Sequence, residues 1–331
     1  AVAASLRRRS RRRSGTFAEV IASHLLSGGQ VGEAFPMLLV AAETTLRSGR
    51  NRQALKLLEK AERARKGSQS NGESEDRYSP KLYALWGNVH SRMGKQREAL
   101  EAWQQSLEQA RLCSDEEAIA RAQAGVGLAR AALGEVVEAS SGLEQALGKL
   151  PQGDPMWAAA AEALAGARLS RGDADGAHRL WSELLDLGRE MGEGAVHARA
   201  MAGLGLIALV RDRPVEGQDA LENAAFRMRE QVSPSTLPVV LFRLAELAHA
   251  EGRLEDSRSL SIEAESIARD LLQLPMCVAA LGHAARCLLD IGVPHEARMI
   301  AQDASTLARS LGPVESIMAI GSVLPAVRVL I

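Results

Sequence analysis

Through most of the chain, apolar residues return three and four positions apart, the spacing that lines one stripe of an α-helix. Tyr83, Trp86, Gly87 and His90 run toward Gly94, and Ala99 and Trp103 follow it. Gln123, Val126, Gly127 and Arg130 run toward Gly134, followed by Ala139, Leu143 and then Pro151. Ala161, Leu164 and Ala165 precede Gly172, with Ala177 and Trp181 behind it; Met201, Leu204 and Gly205 precede Gly217, Leu221 and Ala224. Weaker versions surround Leu244 with Ala245 and Ala284 with Ala285. Each block predicts two helices joined by a tight turn. Small residues at 87, 127 and 205 let the backbones cross closely, and the larger ones at 103, 143, 181 and 221 fill the space between helices.

The turns keep a period. Gly94, Gly134, Gly172, Asp212, Gly252 and Gly292 are separated by 40, 38, 40, 40 and 40 residues, each with a small residue five positions later. Glycine there supplies the positive φ that closes a short helix–helix connection. A fixed interval of this size means stacked copies of one unit. The expected fold is therefore all-α, a right-handed α-solenoid of antiparallel helix pairs with repeats of about 40 residues. Pro151, Pro234, Pro275 and Pro313 fall at the joints, where a helix must stop.

These residues resemble the tetratricopeptide repeat pattern W-x2-L-G-x2-Y, A-x3-F and P, in degenerate form and in a unit longer than that family's 34 residues. The resemblance covers residues 79–331. It implies longer helices with a longer joint, and a function carried by a long surface rather than a pocket of catalytic side chains.

Upstream, Ala34 with Leu38 and Ala54 with Leu58 show the same second-helix signature after Gly29 and Gly49. Those turns are only 20 residues apart, so a break in register is expected here, with helices over 17–26, 31–47 and 52–66. The whole stretch (H-L-L-x-G-G, A-F-P-x-L-L-x-A-A-E, then G-x4-A-L-x-L-L-E-x-A) is similar to the segment that follows the ATPase module in bacterial multidomain signalling proteins. Those include regulators and serine/threonine kinases fused to a switch ATPase and a tetratricopeptide tail. The resemblance implies that this chain is a sensor or scaffold tail whose partner is a peptide, a protein or an upstream kinase or ATPase module. The organisation expected is a basic disordered segment over 1–15, a three-helix region over 16–66, a flexible polar loop over 67–79 and, over 80–331, about six repeats plus a terminal helix. The first residue, Ala1, suggests a piece of a longer polypeptide.

Composition narrows the chemistry. The chain has 331 residues, is 46% hydrophobic and only 3% aromatic, and carries a formal net charge of −1, which gives no global case for nucleic acid or an acidic membrane. Six arginines between Arg7 and Arg13 are the exception; a solvated terminus, a transit peptide or a nucleic-acid arm all fit them. Cys113, Cys277 and Cys287 form no CxxC pair and point to reduced thiols in the cytoplasm, the last two packed on a single helix. No apolar stretch of membrane-spanning length is expected. No phosphate loop, nucleophile elbow or HExxH occurs, so no enzyme activity, cofactor or metal is expected. The glycine pairs 125/127 and 203/205 lie inside helical pattern and read as packing glycines; Asp173, Asp175 and Gly176 read as a polar helix corner; His90 reads as a packing residue.

Counting around the first helices from the small crossing residue predicts a concave groove lined by Asn88, Arg92, Arg121, Leu128, Glu162, Arg199, Leu206, Leu209, Phe242, Glu246, Leu281 and Leu289. The set is largely aliphatic, which suits an amphipathic helix or an extended apolar peptide. Asn88, Arg92 and Arg121 resemble, as an incomplete set, the Lys, Arg and Asn clamp with which the family's peptide-binding members grip a terminal carboxylate. The alternative for the same residues is mutual burial between long helices in a tighter superhelix. A small-molecule-sensing domain with an apolar pocket near Leu206 and Phe242 is the second functional reading, and nucleic-acid contact through Arg7–Arg13 the third.

Overall fold

The computed structural model describes residues 14–70, 78–230, 236–271 and 273–309. The Arg7–Arg13 cluster, residues 71–77 of the polar stretch and the expected terminal helix over 313–331 lie outside them. Among the described residues there are fifteen helices and no strand. The chain divides into two compact units, residues 1–171 and 172–331. The first holds α1 (Ser14–Ser27), α2 (Val31–Arg47), α3 (Asn51–Ser70), α4 (Ser79–Arg92), α5 (Gln96–Leu112), α6 (Glu116–Ala132), α7 (Val136–Leu147) and α8 (Pro155–Ser170). The second holds α9 (Ala174–Glu190), α10 (Gly194–Val210), α11 (Pro214–Arg229), α12 (Leu237–Ala250), α13 (Leu254–Asp270), α14 (Leu274–Ile291) and α15 (Pro294–Arg309). Consecutive helices within each unit pack as antiparallel neighbours, the arrangement of an α-solenoid.

One module generates this architecture. The helices α2, α5, α6, α9, α10 and α13 are each 17 residues long, about 26 Å at 1.5 Å per residue. Three-residue joints connect most of them, and the middle residue of the joint is left-handed: Gly29, Gly49, Gly94, Ser114, Gly134, Gly192, Asp212 and Gly252 all have φ between 53° and 80°. After α4, Gly94 N–H donates to Ser91 O (3.1 Å) and Lys95 N–H donates to His90 O (2.9 Å), which satisfies two of the helix's orphan carbonyls. The same long bond recurs from Gln30 to Leu25, Asp115 to Ala110 and Arg253 to Ala248.

This corrects the reading of the leading helices. The 20-residue interval from Gly29 to Gly49 is no break in register, because Gly94, Ser114 and Gly134, and Gly172, Gly192 and Asp212, also stand 20 residues apart with positive φ. Twenty residues is one helix plus one joint, and 40 is two. The core agrees, since Phe35, Leu39, Leu57 and Leu58 of the leading helices share a continuous apolar cluster with Leu82 and Val89 of α4. The third helix also runs on to Ser70, four residues into the expected loop, and α4 begins at Ser79 with Pro80 in its first turn.

Glycine and tryptophan set the helix spacing. The indole of Trp103 on α5 lies over Gly87 of α4 and Gly125 of α6, so close that an added Cβ would stand 2.6 Å from its Nε1 and 2.1 Å from its Cδ2 respectively. Trp181 of α9 covers Gly203 of α10, and Leu143 of α7 covers Gly127 in the same way. The glycine pairs of α6 and α10 are thus packing sites. His90 stacks on Trp86, with ring centroids 5.5 Å apart. Asp173 caps α9 by accepting from Gly176 N–H (2.8 Å), and Asp175 pairs with Arg211, so this acidic corner serves the helix and the next turn.

Cys277 and Cys287 share α14 and are buried, whereas Cys113 is exposed at a turn. Among the described residues α14 is long and apolar enough to cross a membrane, with 18 residues and a mean hydropathy of 1.4, against the sequence expectation. Half of it is buried against its neighbours, and Arg286 and Asp290 lie within it.

Candidate binding groove

The first unit contains a groove of about 620 Å3 built by successive first helices of its repeats. From α2 come Glu43, Leu46 and Arg47; from α4, Lys81, Ala84, Leu85, Asn88 and Arg92. These α4 residues follow the three- and four-residue spacing that places them on one face. From α6 come Glu117, Arg121 and Ala122, and the start of α8 adds Asp154, Pro155 and Met156. Trp103 and Ser106 of α5 form part of the wall, with Ser106 Oγ donating to Pro80 O (2.8 Å). The volume lies in the range of small-ligand and peptide sites.

Most charges in the groove are mutually committed. Lys81 Nζ lies 2.8 Å from Glu43, which also takes Arg47 at 2.9 Å. Burial pushes the Glu43 carboxyl up, but the hydrogen bonds and charges of Lys81 and Arg47 outweigh it and hold the group below its ordinary value. Arg121 is shared between Glu117 (2.7 Å) and Asp154 (2.9 Å), and Asp154 also caps α8 through Met156 N–H (2.8 Å). Asp115 caps α6 by accepting from Ala118 N–H (3.0 Å).

Two polar groups stand apart. Arg92 Nη1 donates to the Leu46 carbonyl in the last turn of α2 (2.9 Å), and no carboxylate among the described residues pairs with it. The carbonyl orients the guanidinium without neutralising it, leaving most of its donors open. Asn88, one turn earlier on the same face, makes no hydrogen bond with the described residues. The two form a donor pair in a mixed apolar and charged groove.

Of the twelve residues expected from sequence, Asn88, Arg92 and Arg121 are brought together here. Leu128 and Glu162 are half-buried elsewhere in the first unit. In the second unit Phe242 (9% exposed) and Leu281 (7%) are buried rather than displayed. The Phe242 ring meets His283 edge-on at 5.6 Å, so packing occupies the place expected for a small-molecule pocket. Leu209 packs on Gly217, where an added Cβ would lie 2.5 Å from its Cδ2. Arg199, Leu206 and Leu289 are half-buried, and Glu246 is paired with Arg243 at 2.7 Å. The sequence reading missed Lys81, Glu43 and Asp154. Lys81 had a signal, because it stands 40 residues before Arg121 at the same repeat position.

No protein-family model matches the chain, and no curated protein sequence matches it. Similar solved structures are helical-repeat proteins. A Rap protein complexed with competence and sporulation factor is 12% identical over 99% of this chain and 96% of its own, with a TM-score of 0.63. The apo form of the quorum sensor NprR from B. thuringiensis is also 12% identical, over 90% of this chain and 83% of its own, with a TM-score of 0.65. A signal transduction ATPase with numerous domains and a tetratricopeptide repeat sensor, from Pyrococcus horikoshii, is 14% identical over 92% of this chain and 47% of its own, with a TM-score of 0.58. The chain has the fold of the tetratricopeptide-repeat proteins, an all-α helical solenoid.

Proposed function

We propose that this chain is a protein-interaction scaffold whose first unit binds a peptide segment carrying a carboxylate between aliphatic side chains. The observation that carries the reading is the Asn88–Arg92 pair, open in a groove where the other cations are already matched by Glu43, Glu117 and Asp154. A carboxylate placed there gains a charge-assisted bond with a pre-oriented guanidinium. The apolar contacts come from Leu46, Leu85, Ala122 and Met156. The neighbours named above include a Rap protein solved with a factor, a quorum sensor and a sensor-bearing ATPase, which supports a signalling role. In this reading the chain is the non-enzymatic sensor or scaffold tail of a bacterial, cytoplasmic signalling protein, and its partner is a peptide, a protein or a kinase or ATPase module of the same polypeptide.

Selection of displayed random peptides on the intact chain tests the reading. Enrichment of acidic peptides, abolished by Arg92→Glu, is expected. Enrichment indifferent to acidic residues, or unchanged in the variant, would overturn it.

A further inference from the structure

The first unit carries a second hollow, on the face of α6 opposite the groove. It has a volume of about 390 Å3 and lies between α6 and α7, with Leu107 of α5 and Val126 of α6 as apolar wall. Gln123, Val126 and Arg130 follow the three- and four-residue spacing that shares one face of α6, and Glu138, Ser141 and Gln145 do the same on α7. The repeat makes this polar lining an exception. Eleven residues before its turn this repeat has Gln123, where the others have Tyr83, Ala161, Met201, Leu241 and Leu281. Four residues before the turn, Arg130 corresponds to His90, Arg168, Ala208, Ala248 and Leu288. Of the polar counterparts, His90 stacks on Trp86, Tyr83 accepts from Arg65 (3.4 Å) and Arg168 pairs with Glu144 at 2.8 Å.

Gln123 and Arg130 are not satisfied in this way. Gln123 Oε1 and Arg130 Nε are buried atoms with no hydrogen-bond partner among the described residues, and Glu135 stands 3.7 Å from Arg130 Nε, beyond hydrogen-bond reach. Buried donors and acceptors in folded proteins are nearly always paired, so two orphans lining one hollow mark a place where a partner belongs. The unmet chemistry is divided between two ends. Helices α6 and α7 are antiparallel and joined at Gly134, so Arg130 and Glu138 lie toward the joint and Gln123 and Gln145 away from it. The first end holds a cation and a carboxylate, and Glu138 has no ion pair or hydrogen bond with the described residues. At the other end Gln123 Nε2 donates to Gln145 Oε1 (3.3 Å), which leaves Gln123 Oε1 to accept and Gln145 Nε2 to donate.

A carboxamide presents the donor and acceptor that complement the Gln123–Gln145 pair, and the ammonium and carboxylate of a free amino acid complement Glu138 and Arg130. Gln123 and Arg130 stand two helical turns apart, about 10 Å along the axis, which calls for a long side chain between the two ends. We propose that the hollow between α6 and α7 binds a free amino acid with a long carboxamide side chain, of which glutamine is the model: its carboxylate on Arg130, its ammonium on Glu138 and its amide on the Gln123–Gln145 pair. Leu107 and Val126 contact its methylene groups. The site is separate from the groove and stands whether or not the groove takes a peptide.

Isothermal titration calorimetry of the intact chain with L-glutamine and with L-leucine tests this. Saturable binding of L-glutamine is expected, with L-leucine weaker by about tenfold or more because it leaves the two protein amides unpaired. Gln123→Leu, which installs the residue type of Leu241 and Leu281, should weaken L-glutamine by about tenfold or more, and Glu138→Gln, which removes the charge and keeps the shape, should do the same. No saturable binding, equal affinity for L-leucine, or binding unchanged in either variant would overturn the proposal. If a variant does not fold, amide hydrogen exchange of the wild-type chain decides. L-glutamine should raise protection in α6 and α7, and protection gained only elsewhere, or nowhere, would overturn the site.

Discussion

Trp103 lays its indole where a side chain on Gly125 would have to be, 2.1 Å from the nearest ring atom to the missing Cβ. The same ring lies over Gly87 and helps to wall the groove, so one contact sets the spacing of α4, α5 and α6 and the width of the site between them. Gly125→Ala is expected to destabilise the first unit by about 1–3 kcal/mol through overpacking. Trp103→Ala should cost about 3–5 kcal/mol through the cavity it leaves. The double variant should cost less than the sum, because the alanine at 125 then has room. Denaturant unfolding of the four proteins measures this coupling; strict additivity would show that the two residues do not constrain each other.

The joint conformation can be tested where it is not made by glycine. Ser114 holds φ at 53°, a region that disfavours side chains by about 1–2 kcal/mol. Ser114→Gly relieves that strain at the expense of greater freedom in the unfolded chain, and a net gain of about 0.5–1 kcal/mol is expected. Gly94→Ala, at φ 74°, should lose about 1–2 kcal/mol. Thermal or denaturant midpoints of both variants, moving in opposite directions, check the prediction.

Glu43 should leave a signature in acid. Its folded-state proton affinity is lowered below the ordinary value of 4.5, so the unfolded chain binds the proton more tightly and stability rises with pH in that window. The contribution is present above 4.5 and drains away as the pH falls below it. Glu43→Gln should therefore be less stable than wild type at neutral pH and show a flatter loss below 4.5, measured by denaturant unfolding across a pH series.

Asp154 both caps α8 and holds Arg121. Asp154→Asn keeps a capping oxygen but removes the charge, so helix stability should change by only a few tenths of a kcal/mol. Arg121 would then be held by Glu117 alone, and affinity for an acidic peptide should rise. Calorimetry with the variant checks this, and an unchanged affinity would mean that Arg121 takes no part in recognition.

Much of the fold was legible because its signals are local. Gly94, Gly134 and Gly252 mark a turn whose φ few other residues adopt, and the small residues five positions on mark the crossing helix. The half-period was hidden because one of its turns, Ser114, adopts the same conformation without announcing it in its residue type. Gly29 and Gly49 consequently looked irregular when they were the module stated plainly. The groove was half legible. Helix phase pointed to Asn88, Arg92 and Arg121, yet phase alone cannot tell a groove wall from a core contact, and so Phe242 and Leu281 were included. Which cations are already neutralised is a matter of distance between helices, as with Lys81 and Glu43, and no single-helix pattern carries that information.

Reception of a carboxylate by Arg92 and Asn88 in the groove of the first unit is measurable by isothermal titration calorimetry. The intact chain is titrated with a short synthetic peptide of leucine and glutamate, and with its glutamine analogue blocked by a terminal amide. The acidic peptide should bind and the analogue should not. Arg92→Ala should weaken the acidic peptide by about 1.5–3 kcal/mol, tenfold or more in affinity. Equal binding of both peptides, or an acidic peptide indifferent to Arg92→Ala, would show that Arg92 and Asn88 do not receive a carboxylate.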